Sequence, residues 1–300
     1  MNTDWSGVFP AVTTKFRPDG PLDLAAMERH FRFQLEAGVH GLIVLGSLGE
    51  NAVLDDSEKL EILDLAVSVA AGTVPVLACV AENTTRRARR FAQEAARHGA
   101  DGLMVLPAMG YVADRREVLT HFFAVADAGN LPIMVYNNPI SYRMDIDISM
   151  LAEMAREPKF VAVKESSDDI RRVTDLRNHL GDRYRIFSGV DDLALESLLL
   201  GADGWVAGLV NAFPRETVVL YEWAKEGKLK EALNLYRWFT PLLHLDVSTK
   251  LVQNIKLAEA LVGIGGEEVR PPRLPLTGAE RTRVTAVIKT ALEQRPTLPN

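Results

Sequence analysis

Apolar positions along the chain alternate between two periods. Stretches in which they recur every three to four residues, such as Ala25 to Glu36 and Arg87 to Arg97, predict amphipathic helices. Between such stretches lie short unbroken apolar runs, the pattern of strands buried on both faces in a parallel sheet covered by helices. These runs are Val8 to Thr14, Leu42 to Leu45, Val74 to Val80, Leu103 to Leu106, Leu131 to Tyr136, Phe160 to Val163, Arg185 to Ser188 and the run at Trp205-Val206. Three of them follow a Gly-x-x-Gly turn, at Gly38 to Gly41, Gly99 to Gly102 and Gly201 to Gly204. Glycine just past a helix and then a short buried strand marks the αβ junction of a repeating βα unit. Strands spaced roughly 20 to 35 residues apart, with helical patterns between them, predict a (β/α)8 TIM barrel; an open doubly wound sheet is the lesser alternative.

After Trp205 the pattern turns wholly helical, over Arg215 to Glu226, Leu229 to His244, Ser248 to Val262 and Gly278 to Leu292. The segment Arg270-Pro271-Pro272-Arg273-Leu274-Pro275 reads as a stiff extended link. We therefore divide the chain into a barrel at 1–225 and a C-terminal helical extension at 226–300, packed together as one structural unit.

Composition narrows the function. The chain has 300 residues, 47% hydrophobic and 25% charged, with a net charge of -6. No block of basic residues is long enough to follow a phosphate backbone, so nucleic acid is not an expected partner. The basic cluster Arg86-Arg87-Ala88-Arg89-Arg90 lies within a helical pattern and reads as a solvated helix face. The start of the chain shows no signal-peptide pattern, and no run approaches the ~18 apolar residues of a membrane span. The single cysteine, Cys79, lies in an apolar strand and reads as a buried thiol. These features together predict a cytoplasmic protein without disulfides.

Barrel enzymes place their chemistry at the C-terminal ends of the strands. Lys164 stands at one such end, in Phe160-Val161-Ala162-Val163-Lys164-Glu165-Ser166-Ser167. An amine held there among apolar neighbours loses part of its affinity for a proton and can attack a carbonyl to form a Schiff base. Tyr136 ends the preceding strand, where its phenol can serve as an acid and base beside the amine. The second strand runs into Gly46-Ser47-Leu48-Gly49-Glu50-Asn51, a turn whose backbone N–H groups and Ser47 hydroxyl suit a carboxylate. A carboxylate clamp, an amine for the ketone and a proton relay are what chemistry on a 2-oxo acid requires. We expect Lys164, Tyr136 and Ser47 to be catalytic. Leu48, Gly49, Glu50, Asn138, Ser141, Gly189 and Gly208 are the expected substrate-binding positions. Glu50 also reads as a cap for the following helix, and Asp191-Asp192 as an N-cap rather than a metal site. The six histidines are scattered, and neither a metal nor a bound cofactor is expected.

With Gly46-Ser47-Leu48-Gly49-Glu50, Tyr136-Asn137-x-Pro139 and Val163-Lys164-Glu165-Ser166 in this order, the chain resembles the dihydrodipicolinate synthase / N-acetylneuraminate lyase family. The likeness runs from Gly7 to about Pro214. It implies a Schiff-base lysine at Lys164, a proton-relaying tyrosine at Tyr136, and a carboxylate-holding turn at Ser47 with Leu48. It also implies a barrel with three C-terminal helices, assembled as a homotetramer. The chain departs from the lysine-pathway synthases in three places. They carry Thr-Thr where it has Ser47-Leu48, a Tyr-Tyr pair where it has Ala108-Met109, and an arginine where it has Ser141. Arg143 lies near enough in sequence to substitute for that arginine.

The combination of the Gly46 turn, Leu106-Pro107-Ala108-Met109, Tyr136-Asn137-Asn138-Pro139 and His244-Leu245-Asp246 looks most like one branch of hydroxyproline catabolism. That branch comprises the Δ1-pyrroline-4-hydroxy-2-carboxylate deaminases, which form 2-oxoglutarate semialdehyde and ammonia. The resemblance extends to the neighbouring 2-keto-3-deoxy sugar-acid dehydratases and aldolases. A non-catalytic barrel that binds a 2-oxo acid is the alternative from another class, although it would not need Tyr136 beside Lys164. A phosphosugar barrel would want glycine-rich turns after strands seven and eight, which Ser188-Gly189 and Ala207-Gly208 only partly supply.

Overall fold

The computed structural model describes residues 3–108 and 110–299. Met109, half of the Ala108-Met109 pair read above, lies outside the described residues, as do Met1 and Asn2 at the start of the chain. Eight parallel strands, β1 (Gly7–Pro10), β2 (Leu42–Val44), β3 (Val76–Val80), β4 (Gly102–Val105), β5 (Ile133–Asn137), β6 (Phe160–Glu165), β7 (Arg185–Ser188) and β8 (Gly204–Ala207), form one sheet. Their order is β1-β8-β7-β6-β5-β4-β3-β2. A parallel bridge from Ala11 to Ile43 and a 2.9 Å bond from the Val12 N–H to the Ile43 carbonyl join the outer strands and close the TIM barrel.

α1 (Leu24–Glu36), α2 (Asp56–Ala70), α3 (Thr85–Arg97) and α4 (Arg115–Gly129) pack on the barrel wall, and α1 and α3 lie where the periodicity predicts them. Gly38, Gly99 and Gly201 take φ of +88°, +84° and +102°, the left-handed geometry that lets the chain leave a helix for the next strand. Two short helices follow β5: a single turn, α5 (Pro139–Tyr142), and then α6 (Ile148–Met154). The wall continues through α7 (Arg171–Leu180), α8 (Ala194–Leu199) and α9 (Pro214–Lys225), and the extension supplies α10 (Leu229–Leu243), α11 (Leu251–Val262) and α12 (Gly278–Glu293). No helix among the described residues is long and apolar enough to cross a membrane.

Two strands differ from expectation in ways that matter for the site. β1 ends at Pro10, and the chain continues the pairing only through isolated bonds, from the Ala11 N–H to the Ala207 carbonyl at 2.9 Å and from the Val12 N–H to the Ile43 carbonyl. β6 runs two residues past the apolar stretch, through Lys164 and Glu165. Lys164 is thus a strand residue, in register with Tyr136 on β5 and Phe187 on β7. A polar side chain does not end a strand when its face lines a barrel interior.

The extension is bound to the barrel through buried ions. On α11, Glu259 accepts from Thr13 and from Lys15, both at 2.5 Å. Lys256, also on α11, donates to Glu50 at 2.6 Å and to the Glu268 carbonyl at 2.6 Å. Cys79 is fully buried in β3.

Candidate active site

Side chains alternate across a strand, so Tyr136 and Lys164 share the interior face, and Asn137 and Glu165 share the opposite one. The outer pair is structural. Asn137 Nδ2 donates to Glu165 Oε2 at 3.1 Å and to Asp145 at 3.0 Å, and the Ser167 N–H donates to Glu165 at 2.8 Å. This clamp fixes the twist of β5 against β6 and with it the inner pair. Lys164 is 6% exposed. Its Nζ lies 4.1 Å from the centroid of the Tyr136 ring, and among the described residues it donates no hydrogen bond.

Gly189 makes room for the lysine. A Cβ there would lie 2.7 Å from Lys164 Cε and 2.0 Å from Ser166 Oγ, so a larger residue would displace the amine. Burial lowers the Lys164 pKa, and the facing groups Tyr142, Asp246, Cys79 and Asp191 only partly oppose it. Burial likewise raises Tyr136 and Tyr142, so both are phenols at neutral pH. The constellation is an amine whose hold on its proton is weakened beside two phenols that hold theirs.

The Gly46 turn is held from all sides. Leu45 and Glu50 have φ of +65° and +54°, a conformation that costs a non-glycine residue roughly 1–2 kcal/mol. Three bonds hold it there: Thr14 Oγ1 donates to the Gly49 carbonyl at 2.7 Å, Asn51 Nδ2 to the Leu45 carbonyl at 2.8 Å, and Lys256 to Glu50. Within the described chain the Ser47 and Leu48 N–H groups meet no acceptor, which leaves them to a ligand. Leu48 is buried beside them.

Glu50 does not face this opening with a spare oxygen. One of its oxygens takes Lys256 and the other the Arg270 N–H at 3.1 Å, and α2 is capped instead by Asp55 with Glu58. Asp191 also departs from its expected capping role. It opens a 3-10 turn whose N-cap is Val190, and its carboxylate accepts from Trp205 Nε1 at 2.9 Å, the Gly208 N–H at 3.0 Å and the Leu209 N–H at 2.8 Å.

Ser47 Oγ is 2.6 Å from the Tyr142 hydroxyl, and the Tyr142 ring stands edge-on to Tyr136 with centroids 5.6 Å apart. Asn138 organises this corner. Its Oδ1 caps α5 by accepting from the Ser141 N–H at 2.9 Å, and its Nδ2 donates to the Tyr136 hydroxyl at 3.2 Å. Ser141 and Arg143 are exposed. Gly208 closes the opposite side, where a Cβ would lie 2.3 Å from Asp246 Oδ1. Lys164, Tyr136, Ser47, Asn138 and Gly189 are thus linked by contacts at the C-terminal ends of the strands. Tyr142, Ser166 and Asp246 join them without having been singled out from the sequence. Ser166 Oγ and Asp246 Oδ1 are buried and unpartnered among the described residues.

A profile for the dihydrodipicolinate synthetase family matches residues 4–291. A protein of Rhizobium meliloti described as an uncharacterized DapA-like lyase is 32% identical over 281 residues, 93% of each chain. The 4-hydroxy-tetrahydrodipicolinate synthase of Methanospirillum hungatei is 33% identical over 278 residues, 92% of this chain and 94% of its own. Among solved structures, dihydrodipicolinate synthase from Aquifex aeolicus superposes with a TM-score of 0.91 at 28% identity, covering 95% of this chain and 98% of its own. An E. coli prophage protein of the same family, solved in complex with pyruvate, gives 0.90 at 26% identity over 96% and 99% of the two chains. With the family profile spanning nearly its whole length and relatives above 30% identity covering nine-tenths of it, the chain belongs to the dihydrodipicolinate synthetase family and is a lyase of the lysine Schiff-base type.

Proposed function

We propose that the protein binds a 2-oxo or 2-imino acid covalently through Lys164 and eliminates its C4 hydroxyl, with Δ1-pyrroline-4-hydroxy-2-carboxylate as the substrate. The observation that carries this reading is the Lys164 amine, buried without a carboxylate partner and facing the Tyr136 ring at 4.1 Å. Pyruvate in the E. coli relative supports a 2-oxo acid. The sequence departures support elimination over the synthase reaction, because Ser141 and the nearby Arg143 are both exposed and neither offers a buried guanidinium to a second carboxylate.

In this reading the carboxylate sits on the Ser47 and Leu48 N–H groups and C2 faces Lys164. The amine adds to C2 and releases the ring nitrogen as a primary amine still carried on C5. Loss of a C3 proton gives the enamine, and expulsion of the C4 hydroxyl as water gives a conjugated iminium. Tautomerisation turns C5–N into an imine. One water releases ammonia from C5 and a second releases the product, 2-oxoglutarate semialdehyde, from Lys164. Tyr136, held by Asn138, moves protons at C2 and C3, and Ser47 with Tyr142 connects it to the turn.

The test compares hydroxypyrroline carboxylate with 2-keto-3-deoxy sugar acids, measuring ammonia from the first and dehydration of the second. Ammonia release from the first, with borohydride adding substrate mass at Lys164, is the expected result. Lys164→Ala should lose turnover by roughly 10⁴-fold or more while keeping its fold by circular dichroism. Dehydration of sugar acids without ammonia release would move the protein to the dehydratase branch, and trapping at another residue would overturn the site.

A further inference from the structure

The Schiff-base mechanism assigns no role to Asp246. This residue comes from the extension, in the turn after α10 where its N–H bonds to the Leu243 carbonyl at 3.0 Å. The chain there folds over the end of β8. The carboxyl group sits where a Cβ on Gly208 would be, 2.3 Å from Oδ1 and 2.9 Å from Oδ2, so the absence of a side chain at Gly208 is what admits it. Oδ1 is sealed from water and meets no donor among the described residues. The groups that face it electrostatically are Asp191 and Asp192 from the turn after β7, Lys164 from β6 and Tyr136 from β5.

Asp191 and Asp246 form a pair of carboxyl groups in unequal surroundings. Three N–H donors surround Asp191 and favour its anion, working against the burial that raises its pKa too. Asp246 has no such donors. Burial and the charge of Asp191 raise its pKa well above the ordinary carboxylate range. Such inequality favours the charge on the member with donors and the proton on the member without them.

Substrate direction places that proton. In the elimination reading, with the carboxylate on the Ser47 turn beyond β2 and C2 at Lys164 on β6, we place C3 to C5 toward the β7–β8 side, where Gly189, Gly208 and Asp246 lie. We propose that Asp246 is a catalytic residue, the general acid that protonates the C4 hydroxyl as it leaves. This assignment rests on the elimination reading above. The enamine nitrogen lone pair re-forms C2=N, the C2=C3 electrons become C3=C4, the C4–O bond breaks, and the oxygen takes the Asp246 proton to depart as water. Asp246 is left as a carboxylate and regains a proton from water after the product leaves. The proton lost from C3 departs separately, through Tyr136.

Asp246→Asn keeps the shape of the group and removes its acidity. Three measurements on the purified full-length protein separate the steps: borohydride trapping of pyruvate on Lys164, exchange of pyruvate methyl protons with deuterated water, and elimination from a 4-hydroxy-2-oxo acid compared with its 4-chloro analogue. Trapping and exchange should stay within a few-fold of wild type. Hydroxyl elimination should fall by about 10²–10⁴-fold, the usual contribution of a general acid. Chloride elimination should hold near the wild-type rate, because chloride leaves without a proton. Equal loss for both leaving groups, or hydroxyl elimination at the wild-type rate, would overturn the role of Asp246 and leave the Schiff-base reading intact. A wild-type protein that traps pyruvate but eliminates neither group would overturn the elimination reading, and this role with it.

Discussion

Four lysines are buried among the described residues, and they fall into two kinds. Lys15, Lys59 and Lys256 each face a glutamate, with Nζ 2.5 Å from Glu259, 2.5 Å from Glu82 and 2.6 Å from Glu50. Lys164 faces the Tyr136 ring at 4.1 Å and pairs with no carboxylate among the described residues. Burial lowers the pKa of Lys15, Lys256 and Lys164 alike, but a partner carboxylate pushes back directly on the first two. Around Lys164 the carboxyls belong to Asp246 and Asp191, and burial raises the pKa of both. In the proposed reaction, one fold therefore uses the same side chain as a structural cation and as a nucleophile. The difference lies in what stands opposite the amine, since burial is common to both.

The largest effect that would break this comparison is on stability. Lys256→Met would leave Glu50 buried, with the Arg270 N–H as a hydrogen-bond donor and Arg273 only at 3.9 Å. Removing one partner of a buried ion pair costs about 3–5 kcal/mol. Urea unfolding should show that loss, and Lys256→Met with Glu50→Gln should recover part of it. The damage should reach the site as well, because Glu50 is itself a left-handed residue of the Gly46 turn, and a raised KM in the surviving protein is the expected sign. A Lys256→Met protein as stable as wild type would mean that the pair is not what joins extension to barrel.

A smaller effect is expected at the proposed proton relay. Tyr142→Phe removes the hydroxyl 2.6 Å from Ser47 but keeps the ring that packs edge-on against Tyr136. We expect kcat to fall by about 10²-fold with KM little changed. Ser47→Ala should have a similar effect, and the double variant should be little worse than either single, as for groups that act as a unit. Full additivity would show that the two hydroxyls serve separate steps.

Local signals carried much of this reading. The apolar runs, the glycines after the helices and the lysine at a strand end are all features of neighbouring residues, and they predict the barrel and place Lys164 and Tyr136 on adjacent strands. What they do not carry is partner choice at long range. Glu50 and Lys256 are 206 positions apart, and no pattern around Glu50 distinguishes a carboxylate that caps a helix from one that meets a distant lysine. Asp191 looks like a cap for the same reason, although its partners are Trp205, Gly208 and Leu209. Tyr142 sits on a helix of one turn, too short to show a period, and its meaning comes from Ser47 across the barrel mouth. Asp246 was visible only as part of a likeness. Its place over Gly208 depends on how α10 ends against the barrel.

The subtlest expected effect concerns the cost of keeping Lys164 reactive. In the unfolded chain this lysine titrates near its ordinary value of 10.5, and burial lowers that value in the folded protein. Between the two values the unfolded state binds more protons, so stability rises with pH across that window and is penalised below it. Lys164→Met removes the penalty while filling the same space. The variant should therefore be more stable than wild type near about pH 7, and its advantage should shrink as pH approaches the ordinary lysine value. Urea unfolding of the ligand-free proteins at about pH 7 and about pH 10 would measure both the sign and the trend. The opposite sign is expected for Lys256→Met. If both substitutions destabilised the protein, Lys164 would be a paired cation like the other three, and its reactivity would need another source.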